Sequence, residues 1–111
     1  MDLDEYQELA NKTAIYPDRG TNAGLLYVTL GLCGESGEVA EKVKKLIRDD
    51  DGKLTQERKE KIINELGDVL WYLSNIASEL NVSLKEIAVI NINKLNSRKD
   101  RNQLHGDGDE R

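Results

Sequence analysis

Two pairs of acids set three residues apart, Glu35 with Glu38 and Glu65 with Asp68, are the side chains of this chain best suited to chemistry. Residues three apart are neighbours on one helix face, so each pair presents two carboxylates on adjacent turns. The pairs also match each other. Facing residues of an antiparallel helical hairpin share one index sum, and Glu35 with Asp68 and Glu38 with Glu65 both give 103. The implied midpoint, between Asp51 and Gly52, falls inside the one obvious turn, Asp49-Asp50-Asp51-Gly52. Four acids then converge in two layers, the oxygen-rich setting that Mg²⁺ prefers, with Mn²⁺ an acceptable substitute. Like charges about 4 Å apart repel by roughly 4 kcal/mol at an effective dielectric near 20, so the cluster calls for protons, cationic partners or metal. Two such ions about 4 Å apart can orient and deprotonate a water while neutralising a phosphoryl group, which points to hydrolysis at phosphorus.

Other side chains fall near this centre. Lys42 and Lys61 obey the same index sum, one turn nearer the hairpin loop. They either hold the acids or meet a leaving phosphate, or else form surface ion pairs with Glu38 and Glu65 four residues away. Tyr72 shares the face of Glu65 and Asp68, with Trp71 farther round. A tyrosine hydroxyl there suits a phosphate oxygen and an indole suits a base, while core or dimer packing explains either aromatic equally well. Glu41 continues the acidic series but is rotated beyond Glu38. Cys33, the one cysteine, reads as a small core residue, and His105 as a solvated residue of the final segment. The chain has no Gly-x-x-x-x-Gly-Lys-Ser/Thr loop, so a P-loop mechanism is excluded.

Positioning these groups requires helices. Apolar residues recur at helical spacing as Leu32, Val39, Val43 and Leu46, and again as Ile62, Leu66, Val69, Leu73, Ile76 and Leu80, and no segment alternates with period two. At 100° per residue Glu35 lies about 40° from Val39, at the edge of the apolar stripe rather than on the solvent face. The pattern predicts an all-α protein of four helices. The first runs over 2–15 until Pro17 and the second from Ala23 to Arg48. The third follows an N-cap at Thr55 and closes near Asn81, and the fourth opens on the capping box Ser83-Leu84-Lys85-Glu86 and reaches Ser97. Leu84, Ile87, Ala88, Ile92 and Leu95 form the side of the fourth helix expected to be buried. Residues 1–97 make one domain and 98–111 a polar tail expected to be mobile. Gly24, Gly31, Gly34 and Gly37 crowd the second helix, at up to about 1 kcal/mol each relative to alanine, and imply close approach of a helix or ligand beside Glu35 and Glu38.

Composition bounds the partners. With 111 residues, 38% hydrophobic and 33% charged, one proline and no phenylalanine, the chain suits a small helical domain with a charged exterior. A net charge of −5 argues against a nucleic-acid groove or an anionic membrane surface. A lone cysteine and the absence of a signal peptide or long apolar run lead to an expectation of cytoplasmic residence.

The words Gly31-Leu32-Cys33-Gly34-Glu35-Ser36-Gly37-Glu38-Val39 and Glu65-Leu66-Gly67-Asp68-Val69-Leu70-Trp71-Tyr72 resemble the MazG-like nucleoside triphosphate pyrophosphohydrolases of the all-α NTP pyrophosphatase superfamily. The signature is E-x-x-E, a spacer, then E-x-x-D; the spacer here is 39–64, or 26 residues. The likeness runs from Asp4-Glu5-Tyr6-Gln7 to Asn91-Ile92-Asn93-Lys94-Leu95, and the ending is similar to small stand-alone members, many of them encoded by phages. It implies a four-helix MazG-like bundle completed by dimerisation, as a homodimer or dimer of dimers. It implies Mg²⁺-dependent cleavage between the α- and β-phosphates, to a nucleoside monophosphate and pyrophosphate. Carried over, Glu35, Glu38, Glu65 and Asp68 would be metal ligands, Glu38 would also orient or deprotonate the water, and Asn91 and Lys94 would contact substrate. Alternatives are the same chemistry on phosphoribosyl-ATP or an alarmone, or a non-catalytic helical protein binding a structural cation.

Overall fold

A computed structural model describes all 111 residues. It is all-α, with no strand: α1 Leu3–Asn11, α2 Asn22–Asp49, α3 Gln56–Glu79 and α4 Leu84–Asp100. Each helix starts where a short polar side chain can satisfy an otherwise unpaired N–H. Asp2 accepts from Glu5 N (2.8 Å), Thr55 from Arg58 N (3.1 Å) and Ser83 from Glu86 N (2.9 Å). Helix α3 stops in a Schellman motif, with Asn81 left-handed at φ 56° and Val82 N donating to Ala77 O at 3.0 Å.

Helix α1 ends at Asn11, earlier than the expected run to 15. Proline is not what stops it. The Thr13 hydroxyl takes the Ala10 carbonyl (3.1 Å), and the Arg19 guanidinium takes those of Asn11 (3.3 Å) and Ala14 (3.0 Å), so the last turn unwinds into a loop pinned by side chains. That loop carries Tyr16 inward. Ala14, Tyr16 and Val28 form the buried core, with Trp71, Tyr72 and Ile76 against it. The Tyr16 hydroxyl donates to Glu79 Oε1 at 2.6 Å, and burial, with Glu79 reinforcing it, holds that phenol at about 12. Glu79 also accepts from Gly20 N at 2.9 Å, tying the α1–α2 loop to the end of α3.

Helices α2 and α3 form the antiparallel hairpin that positions the acids. Gly24 lies against Glu79 and Gly31 against Tyr72, and both pairs keep the index sum of 103 expected for Glu35 and Asp68. Arg58 Nε fastens the loop end of the hairpin to Asp50 at 2.9 Å. Gln7 of α1 joins the α3–α4 turn, donating to Ser78 Oγ (3.1 Å) and Val82 O (3.0 Å) and accepting from Leu84 N (2.8 Å).

The single chain is thinly packed. Only ten of its 111 residues are buried, and it exposes 7871 Å², where a compact protein of its mass exposes about 6,200 Å². Its radius of gyration is 16.9 Å, against about 13 Å for a compact domain of this length. The expected apolar stripes are accordingly only half covered. Val43, Leu66 and Leu80 are exposed, and on α4 only Leu84 of the five residues expected inside is buried, while Ile92 and Leu95 face outward. Cys33, expected in the core, is exposed as well. No helix is long and apolar enough to cross a membrane.

Candidate active site

Glu35 on α2 and Glu65 and Asp68 on α3 come together, each offering a carboxylate oxygen within 4.8 Å of the others. Glu35 and Glu65 are half-buried at the helix–helix seam, and Asp68 is exposed. Burial pushes the Glu35 carboxyl above its ordinary range, and the negative charges of Asp68, Glu65 and Glu38 push it further.

Glu38 stands outside that trio. Its side chain is 53% exposed and is drawn toward the loop by Lys42, whose ammonium lies 3.6 Å from Glu38 and 3.3 Å from Glu65. The hydrogen bond to Glu65 is the main reason that ammonium is held more basic than usual. Lys42 thus bridges the two acids across the hairpin. Lys61 does not mirror it, because its ammonium pairs with Glu57 at 3.1 Å, one turn back on its own helix. Glu41 pairs with Lys44 at 2.9 Å on the outer face.

A cavity of about 330 Å³ opens beside Glu35 and Asp68, walled by Thr13, Trp71 and Tyr72. The Trp71 indole donates to Thr13 Oγ1 at 2.8 Å and meets Tyr72 edge-on, ring centroids 5.0 Å apart. Burial raises the Tyr72 phenol, with the charges of Glu35 and Asp68 among the further causes. Both aromatics therefore belong to the cavity wall and the core edge at once. Thr13 was not anticipated as a wall residue: it sits in the loop left by the early end of α1, where no periodic signal points to it. Tyr6 was also missed; burial raises its phenol and the Asp68 charge adds to this.

Gly31 is required by this wall. A methyl group there would overlap the Tyr72 ring, so Gly31→Ala must drive the ring off its seat beside Glu35. We expect the change to cost about 1–3 kcal/mol in urea denaturation, and to perturb binding in the cavity as well. Gly24 is similarly held against the Asp18 carbonyl. Gly34, Gly37 and Gly67 differ, for a side chain there would meet nothing within 4 Å.

Asn91 is exposed on α4. Lys94 is half-exposed and engaged with Asp109 of the C-terminal segment at 2.7 Å. His105 is exposed in that segment.

The fold and this centre define an all-α protein whose antiparallel helical hairpin gathers carboxylates beside an aromatic-walled cavity. The chain belongs to the family described as the MazG nucleotide pyrophosphohydrolase domain, whose model matches residues 24–102. It is 51% identical over 114 residues to the Gene 37 protein of Mycobacterium phage L5, with the whole of both chains covered. No solved structure matches it.

Proposed function

We propose that this chain is a Mg²⁺-dependent nucleoside triphosphate pyrophosphohydrolase that cleaves between the α- and β-phosphates. The observation that carries this reading is the convergence of Glu35, Glu65 and Asp68 within 4.8 Å at the mouth of the Trp71–Tyr72 cavity. Three hard carboxylate donors, one of them pushed toward protonation by burial and by its acidic neighbours, fit a divalent cation that takes oxygen ligands. Glu35, Glu65 and Asp68 would hold it, with Glu38 closing the set from the exposed side. When bound, such an ion neutralises phosphate charge and makes its water more acidic.

The residues of the chain do the rest. Glu38 orients a water toward the α-phosphorus and takes its proton; a bond forms from water oxygen to α-phosphorus as the bond to the bridging oxygen breaks, and pyrophosphate leaves. Lys42 keeps Glu38 and Glu65 from recoiling from each other. Trp71 and Tyr72 offer a face to the base or sugar, Lys61 lies one turn away toward the hairpin loop, and Asn91 and Lys94 contact phosphate. A panel of NTPs and dNTPs with Mg²⁺ tests the reading, with products separated chromatographically. Monophosphate and pyrophosphate in equal amounts support it, and diphosphate with inorganic phosphate rejects it. No turnover of any nucleotide would leave a cation-binding helical protein.

The working form we propose is a homodimer, or a dimer of such dimers. The chain exposes about 1,700 Å² more than a compact protein of its mass, ample for an interface that typically takes about 800 Å² per partner. Leu26, Leu30, Ile47 and Ile63 on the hairpin and Ile90 and Ile92 on α4 are large apolar side chains without cover. Gly34, Gly37 and Gly67 leave room for a neighbour beside the acids. Light scattering across dilution should return twice the chain mass or more, with melting temperature rising with protein concentration. A stable, active monomer at all concentrations rules this out.

A further inference from the structure

The C-terminal segment does not hang free. Helix α4 continues to Asp100, and Asn102, left-handed at φ 57°, turns the chain while Gln103 N donates to Arg98 O at 2.6 Å. Arg111 then gathers the loop around itself, donating to the carbonyls of Gln103 (3.1 Å), Leu104 (3.0 Å) and Gly108, while Arg101 takes the Arg111 carbonyl at 2.9 Å. The result delivers Asp109 onto α4. Its Oδ1 accepts from Lys94 Nζ at 2.7 Å and from Arg98 Nη2 at 3.1 Å, and Arg98 Nη2 also takes the Asp109 main-chain carbonyl.

The two ends of this contact are unequal. Arg98 is 5% exposed and its Nε has no partner, whereas the Asp109 side chain is 79% exposed. A guanidinium presents a planar fork that is best filled by two oxygens at once. Here one carboxylate oxygen serves both Lys94 and Arg98. A buried, under-filled guanidinium one turn from an ammonium is a site for an oxyanion with more oxygens and more charge than a carboxylate. The cations lower the Asp109 carboxyl, Lys94 first, so the segment is held as an anion.

We propose that Asp109 is an intramolecular stand-in for a phosphate group at a Lys94–Arg98 oxyanion site, and that a polyphosphate binds there by displacing residues 103–111. This deepens the function proposed above and rests on it in taking Lys94 as a phosphate contact. The segment acts as a latch: competition from Asp109 lowers the apparent affinity for phosphates.

The test uses the full chain and inorganic pyrophosphate in the presence of a chelator, so that turnover plays no part. Calorimetry should show wild type binding pyrophosphate and Asp109→Asn binding it about tenfold more tightly, equivalent to about 1.4 kcal/mol. Lys94→Ala in the Asp109→Asn background should abolish that gain. Equal or weaker binding by Asp109→Asn, or no binding by either form, overturns the latch. Hydrogen exchange of the wild type gives an independent reading that survives any folding defect of the variant. Amides of residues 103–111 should lose protection at saturating pyrophosphate, and unchanged or increased protection overturns the proposal. Release of the segment in a chain that hydrolyses no nucleotide would sink the activity and leave the latch standing. Nucleotide turnover with the segment protected throughout would do the reverse.

Discussion

Replacing Glu38 by glutamine should lower kcat by about 10²–10⁴-fold, the usual worth of a positioned proton acceptor, without loosening the fold. Glu38 is exposed and its partner is Lys42, which keeps its pairing with Glu65 when Glu38 is neutralised. An exposed pair of that kind contributes about 0–1 kcal/mol, so circular dichroism and melting should barely change. Glu41→Gln is the matched control, since Glu41 is bound to Lys44 on the outer face. Wild-type turnover in Glu38→Gln, or equal losses in both variants, would remove Glu38 from the chemistry.

The second large effect is on stability, and it changes sign with metal. The Glu35 carboxyl is raised by burial and by three neighbouring carboxylates, so the folded state holds its proton more tightly than the unfolded chain. For an acid raised in this way, stability is fully present below the ordinary value of 4.5 and declines as pH climbs through the folded value. Without divalent cation, the contribution of this site should therefore fall as pH rises above 4.5. If Mg²⁺ binds the deprotonated native site as proposed, it should reverse that penalty. At ten times its dissociation constant it adds about 1.4 kcal/mol, or several degrees in a domain of this size. Asp68→Asn should melt at or above the wild-type temperature without metal and gain less when it is added. A wild-type melting curve indifferent to millimolar Mg²⁺ and to pH would deny that these carboxylates act together.

The carboxylate hairpin was legible because helical register is arithmetic. Once one turn at Asp51-Gly52 is fixed, every facing pair follows, and Gly31 with Tyr72 obeys the same relation as Glu35 with Asp68. The caps at Thr55 and Ser83 were legible because short polar side chains at a helix start have few other uses. What escaped depends on contacts rather than period. Lys42 drawing Glu38 outward is a competition among side-chain rotamers, and no spacing rule decides it. Helical periodicity says which residues share a face, not whether anything covers it, so Val43, Leu66 and Cys33 were expected to be inside and are exposed. The segment after Asp100, expected to be mobile, is held by guanidinium-to-carbonyl bonds that leave no pattern in a polar sequence.

Trp71 is the chain's one indole, and its N–H is spent on Thr13 at the rim of the cavity that holds Glu35 and Asp68. All tryptophan emission therefore originates within one side chain of the acids. Anything that enters the cavity, charges its carboxylates or shifts the Thr13 loop alters the surroundings of that single fluorophore. The molecule carries its own optical gauge of occupancy, with no second indole to dilute the signal.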